Sequence, residues 1–286
     1  MSVWALRFAD GSVFFVGLAA AMLGTCMGAR PRRSVLRWAR AVLGVAGALL
    51  VVLSATPFPW WLYTVWLCLF VAAFAFSNKE RRPKSTVALV LVFDLVCVGM
   101  ALSEMPYHRT PTVPALQANR LCVIGDSLCV GADAPGASWP EHLAAWLDLP
   151  LSNFSFGGAR LGTSKRNAER PELAGSLAIV EVSGNDVLFG TDPADFRTDL
   201  EELLEGVSQK AKHVVLIETP LPPFCNQYGS IQRRLAKTYG ATVVPKRYLA
   251  RVLGTPGATV DGLHLSSKGH ELLANALATI LKPARR

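Results

Sequence analysis

Four short stretches carry residues able to do chemistry together: Gly125-Asp126-Ser127-Leu128, Asn153-Phe154-Ser155-Phe156-Gly157-Gly158, Ser183-Gly184-Asn185-Asp186 and Asp261-Gly262-Leu263-His264. A serine hydroxyl is a weak nucleophile at neutral pH and needs a neighbouring base. His264 can take the proton of Ser127, and Asp261, three residues earlier, can fix the imidazole tautomer and steady the imidazolium. A tetrahedral intermediate also needs donors aimed at its oxyanion. The backbone N–H of Ser127, the N–H of a glycine that lets substrate approach the main chain, and the Asn185 amide would supply three. Each stretch alone is weak. A serine after a strand is usually a helix N-cap, Asn-Asp can merely start a turn, and His264 could lie idle on the surface. Their joint occurrence at strand ends makes acyl chemistry on Ser127 the reading that uses all of them.

The strand ends follow from hydrophobic patterning. Short apolar runs at Leu121–Ile124, Leu149–Phe154, Leu177–Val182, His213–Glu218 and Ala241–Val244 suit buried strands. Between and after them lie helical stretches at Trp139–Leu147, at Asp195–Gln209, with Phe196, Leu200, Leu203 and Leu204 on one face, and at Ser267–Leu281. Such alternation predicts an α/β fold, a doubly wound parallel five-stranded sheet whose functional edge is the carboxyl end of the strands. No Gly-x-Ser-x-Gly occurs, which argues against the nucleophile elbow of the α/β-hydrolases.

From about Asn119 to Leu281, a little under three fifths of the chain, the sequence resembles the SGNH hydrolase family, also called the GDSL esterase/lipase family. The family's Ser, Gly, Asn and His are matched by Ser127, Gly158, Asn185 and His264. Gly158 is chosen over Gly157 because it lies five residues after Asn153, as in the family's second block. The resemblance implies a flavodoxin-like sheet, a triad of Ser127, Asp261 and His264, and an oxyanion hole of Ser127, Gly158 and Asn185. Where the third block commonly reads Gly-Gly-Asn-Asp, this chain has Ser183, a change expected to be harmless because the Asn is retained.

No cofactor or metal is expected. His108, His142 and His213 have no partners suggesting ligation, no Cys/His spacing resembles a zinc site, and His270 reads as a packing residue of the last helix. Cys26, Cys68 and Cys97 lie in apolar runs and read as small apolar residues. Cys129 and Cys225 both follow strands, a placement that would allow a disulfide in an oxidising compartment, with Cys122 left over.

The N-terminal third differs in kind. Apolar residues make up 51% of the chain and charged residues 17%, well below the roughly 25% of soluble domains. Four apolar runs at about residues 12–28, 41–56, 60–77 and 86–103 predict four transmembrane helices, with 104–118 as a proline-containing linker and 119–286 as the hydrolase domain. Core helices of a soluble domain would need polar faces that these runs lack. The net charge of +8 sits mainly in residues 1–103, where ten Lys/Arg face three acids. It falls in two clusters between apolar runs rather than on a folded face, which excludes nucleic acid as the expected partner.

Five arginines (Arg30, Arg32, Arg33, Arg37, Arg40) separate the first two runs, and Lys79, Arg81, Arg82 and Lys84 separate the last two, whereas Thr56-Pro57-Phe58-Pro59 is uncharged. Basic loops stay in the cytoplasm, so the N-terminus, the uncharged turn and the hydrolase domain are expected on the extracytoplasmic, periplasmic side of the inner membrane. Trp60, Trp61 and Tyr63 fit an interfacial aromatic belt. A cleaved signal peptide fits poorly, since only Arg7 precedes the first run and three more follow. Leu23-Gly24-Thr25-Cys26 is a weak match to a lipoprotein cleavage box. Asp94, with no intramembrane cation to pair with, reads as a neutral or hydrogen-bonded packing residue. The expected activity is hydrolysis of an ester of a lipid or acylated cell-envelope glycan near the membrane. The alternatives are acyl transfer to a glycan through the same triad, or an idle binding domain. Nothing in the sequence discloses an oligomeric state.

Overall fold

The computed structural model describes residues 3–27, 34–77, 83–113, 117–131 and 136–281. These separate into a sheet unit (1–10, 110–221 and 228–286) and a helical unit (11–109 and 222–227). The chain opens with α1 (Val3–Ala9), which packs on a later helix of the sheet unit.

The helical unit comprises α2 (Val13–Cys26), α3 (Ser34–Leu53), α4 (Trp60–Phe76) and α5 (Lys84–Glu104). Two helical stretches, Val35–Leu53 and Lys84–His108, are long and apolar enough to cross a membrane, while Val13–Cys26 and Trp60–Phe76 are shorter apolar helices. Four full-length spans are therefore more than the helix lengths establish. α2 and α3 approach through small residues: a side chain at Gly24 would strike the Gly44 backbone, and one at Gly47 the backbone of Ala21. Small residues at these positions let the two helix backbones approach closely. The interior holds Phe14, Trp66, Phe70 and Phe93, while Val42, Leu49, Leu91, Leu95 and Leu102 point outward, Leu95 with 70% of its surface exposed.

α3 begins at Ser34, so Arg37 and Arg40 stand on a helix rather than in the expected basic loop. Arg40 is buried, donating to Gly24 O (2.8 Å), Phe74 O (2.6 Å) and Ser77 Oγ (2.5 Å), with its guanidinium over the Phe74 ring. It meets the carbonyl ends of α2 and α4, where a cation is favourable. Arg30, Arg32 and Arg33 of the first cluster, and Lys79, Arg81 and Arg82 of the second, lie outside the described residues. Asp94 accepts a thiol hydrogen bond from Cys26 (3.7 Å), as a packing residue would.

At the other end of this unit, Phe14 meets Phe58, and Phe15 meets His108 edge-on at 4.8 Å. The expected linker starts as a 3-10 turn, Met105–His108, directly continuing α5. The boundary between units falls at Arg109/Thr110. Residues 222–227 belong here too: Asn226 Nδ2 donates to Thr56 O (2.7 Å) and to Tyr63 Oη (3.0 Å).

The sheet unit is built from β1 (Leu121–Gly125), α6 (Ser127–Val130), α7 (Trp139–Leu147), β2 (Leu151–Asn153), α8 (Leu161–Ser164), β3 (Leu177–Glu181), α9 (Gly184–Leu188), α10 (Pro193–Lys210), β4 (His213–Ile217), α11 (Asn226–Thr238), β5 (Thr242–Val244), α12 (Arg247–Leu253) and α13 (Ser267–Leu281). The five strands are all parallel in the order β2-β1-β3-β4-β5. Strands run close to the expected limits, with β2 cut to three residues. Val123, Ile179 and Val215 share a core with Trp139, Leu143, Leu273 and Leu277 of α7 and α13. Phe196, Leu200, Leu203 and Leu204 of α10 are fully buried as their spacing predicts. The order of strands reverses between β1 and β3, and in such sheets ligands bind in the crevice beyond the carboxyl ends at that point. The Cys129–Cys225 disulfide that the sequence allows does not form; both are free thiols, and Cys129 points into the core beneath Gly125.

Candidate active site

Ser127 is the first residue of α6, immediately after β1. Asp126 caps the helix, its Oδ1 accepting the Leu128 N–H at 2.9 Å. Gly125 must be glycine, since a Cβ there would sit 2.2 Å from Cys129 Sγ and 3.0 Å from Glu181 O. The turn is therefore tight, and Ser127 is half-buried while Asp126 is buried.

Gly158 lies in the loop after β2, exposed and in a left-handed conformation (φ +73°) that favours glycine. Asn153 organises that loop, accepting from Ser155 N and donating to Cys129 O (both 3.1 Å). Asn185, in α9 after β3, donates through Nδ2 to Ala159 O (2.9 Å) and more weakly to Asp126 Oδ2 (3.5 Å). One amide thus joins the residue after Gly158 to the residue before Ser127. Asp186, which the sequence reading gave no role in the site, is buried and ties the same loops: its carboxylate accepts from Leu161 N (3.0 Å) and Thr191 Oγ1 (3.1 Å). Burial pushes its carboxyl above the ordinary value.

Asp261 and His264 share a turn closed by Val260 N–H to His264 O (2.9 Å) and by a bridge between Thr259 and Leu265. Asp261 Oδ2 lies 2.6 Å from His264 Nδ1, and its Oδ1 accepts from the N–H groups of Leu263 and His264. These bonds, the imidazole's first, hold the Asp261 carboxyl well below the usual carboxylate range. An ionised Asp261 can only accept, so the shared proton sits on Nδ1 and Nε2 keeps its lone pair. Once protonated, His264 acts favourably on the charge of Asp126, beside Ser127. The sequence-selected residues are therefore gathered as two sets, Ser127–Gly158–Asn185 and Asp261–His264.

Ser183, where glycine is common, keeps ordinary extended geometry, and its hydroxyl bonds Thr219 Oγ1 (2.5 Å) and Gln232 Nε2 (2.8 Å) in a buried network. His270 is buried in α13, where its Nδ1 accepts the Trp139 N–H (3.1 Å). Among the described residues no group of His, Cys, Asp or Glu has the arrangement of a metal site.

A family profile described as the GDSL-like Lipase/Acylhydrolase family matches residues 123–272, just over half of the chain. The chain belongs to this family. It is a serine hydrolase acting on ester bonds. Among relatives of this GDSL hydrolase, Thioesterase 1/protease 1/lysophospholipase L1 of Escherichia coli (strain K12) is 25% identical over 60% of this chain and 88% of its own length. Esterase TesA of Pseudomonas aeruginosa is 27% identical over 58% and 89% respectively. The crystal structure of esterase EstA from Pseudoalteromonas sp. superposes with a TM-score of 0.52 at 20% identity, covering 58% of this chain and 97% of that one. This shows the same fold in the hydrolase part.

Asp126 makes stability pH-dependent. Burial, opposed by the Leu128 N–H and the His264 charge, pushes its carboxyl from 3.8 up to about 6. A raised carboxyl holds its proton more tightly in the folded state, so its contribution is fullest below about pH 4 and is withdrawn as pH rises through about 6. Asp126→Asn keeps a capping side chain but cannot ionise. Urea unfolding across this range should show a shallower decline for the variant than for the natural chain; parallel curves would contradict the assignment.

Proposed function

We propose that the chain is a membrane-anchored esterase, with residues 1–103 as a four-helix transmembrane module, 104–118 as a linker and 119–286 as the catalytic domain. Ser127 attacks the ester carbonyl, His264 Nε2 takes its proton and returns it to the leaving alcohol, and Asp261 steadies the imidazolium. The N–H groups of Ser127 and Gly158 and the Asn185 amide hold the oxyanion. Water then resolves the acyl-enzyme with His264 as base, releasing the acid. The observation that carries this reading is the Asp261–His264 pair at 2.6 Å in the family-matched segment that also holds Ser127.

Two features support the membrane setting. Large apolar side chains crowd the outer faces of α3, α4 and α5, with Trp60 and Trp61 exposed at the start of α4. The polypeptide enters and leaves the helical unit at one end, where Phe15 meets His108, while Arg40 closes the opposite end. That fits an even number of crossings with both ends on one side. The substrate is then an ester of a lipid or acylated envelope glycan lying near the bilayer, on the periplasmic side.

Ser127→Ala should abolish nearly all turnover of p-nitrophenyl esters without unfolding the protein. Asn185→Ala should cost about 10² to 10³ in kcat, the usual loss for one oxyanion donor. Wild-type turnover by Ser127→Ala would refute the nucleophile.

Topology is tested separately. Alkaline phosphatase fused after Leu281 should be active and a fusion after Arg33 inactive, because the basic clusters stay inside. The reverse pattern would place the site in the cytoplasm and remove the envelope substrate, leaving the ester chemistry intact.

A further inference from the structure

Beneath the Ser127 turn lies a buried acid that the mechanism above does not use. Glu181 ends β3, pairs in register with Gly125 of β1 and is 3% exposed. Its backbone carbonyl accepts the Asp126 N–H at 3.2 Å, which sets its carboxyl beside that of Asp126, and its Oε2 accepts the Cys129 thiol at 3.1 Å. Two neighbouring buried carboxyl groups do not both ionise, and the one that keeps its proton can donate to the other.

The surroundings decide which. Asp126 already accepts the Leu128 N–H at 2.9 Å and faces the Asn185 amide at 3.5 Å, and both favour its ionised form. The side-chain donor at Glu181 is the Cys129 thiol, a weak one. Negative charge therefore settles on Asp126 and the proton on Glu181. The remaining charged neighbour acting on Asp126 is Asp186, whose like charge disfavours a second anion in the cluster. Burial and the Asp126 charge push the Glu181 carboxyl well above its ordinary range, in the same direction as the geometry.

We propose that Glu181 is a positioning residue: held as the neutral acid, it donates to Asp126 and so fixes the turn that presents Ser127 together with the Asn185 amide. The proposal rests on Ser127 being the nucleophile. It acts through Asp126 alone, and no proton leaves Glu181 during turnover.

The test uses the full chain in detergent. Glu181→Ala should lower kcat about tenfold or more, the order expected on losing a hydrogen bond to a charged group, with KM nearly unchanged. Glu181→Gln, whose amide can still donate to Asp126 and accept from Cys129, should recover most of that loss. A Glu181→Ala protein with full kcat, or a Glu181→Gln protein as impaired as Glu181→Ala, would overturn the proposal. Should Glu181→Ala fail to fold, infrared difference spectra of the natural chain minus Glu181→Gln at pH 8 decide. A carboxylic-acid C=O stretch present in the natural chain and lost in the variant is expected, and its absence overturns the proposal. This band does not depend on Ser127, so active Ser127→Ala would refute the nucleophile and leave the protonation of Glu181 separately tested.

Discussion

The site depends on one side-chain amide. Asn185 Nδ2 reaches Ala159 O and Asp126 Oδ2, so the loops after β1, β2 and β3 are fastened to a single planar group. Its two hydrogens are unequally engaged: the bond to Ala159 is short, and the one to Asp126 sits at the outer limit of a hydrogen bond. An oxyanion at Ser127 can compete for the second hydrogen without disturbing the first. In the proposed mechanism, the residue that organises the resting site also stabilises the oxyanion.

Around this amide the fold buries an unusual amount of polar chemistry at the carboxyl edge of the sheet. Asp126, Glu181, Asp186 and Glu218 are all nearly inaccessible. Each is tolerable only because it is bonded: Asp186 by Leu161 N–H and Thr191, Glu218 by Arg233 (2.6 Å) and the Lys246 N–H (3.0 Å). Unpaired, any of these would cost several kcal/mol (roughly, by the usual penalty for a buried charge). Asp261, by contrast, is exposed and held by local bonds only. Its pairing contributes little to stability and is free to serve tautomer control.

Much of this was legible in the sequence where apolar spacing and local geometry agree. Trp139–Leu147 and Ser267–Leu281 form helices at the expected limits, because their buried faces are made of apolar side chains at helical spacing. α11 was not anticipated: its inward positions include Gln232 and Arg233, whose partners Ser183, Thr219 and Glu218 lie far off in sequence. Arg40 misled for a similar reason, since a cation beside an apolar run reads as loop until the carbonyl ends it meets are known. Cys129 followed a strand, as a disulfide partner would need, but its direction toward Glu181 is a tertiary fact. Glu181 itself reads only as the last residue of a strand.

The most direct test is the structure of the chain after reaction with a fluorophosphonate, whose tetrahedral adduct mimics the intermediate. The phosphorus should be bonded to Ser127 Oγ, with its anionic oxygen in hydrogen-bond reach of the Ser127 and Gly158 N–H groups and Asn185 Nδ2, and with Asn185 still donating to Ala159 O. An adduct on another residue, or an oxygen turned away from Asn185, would contradict the account.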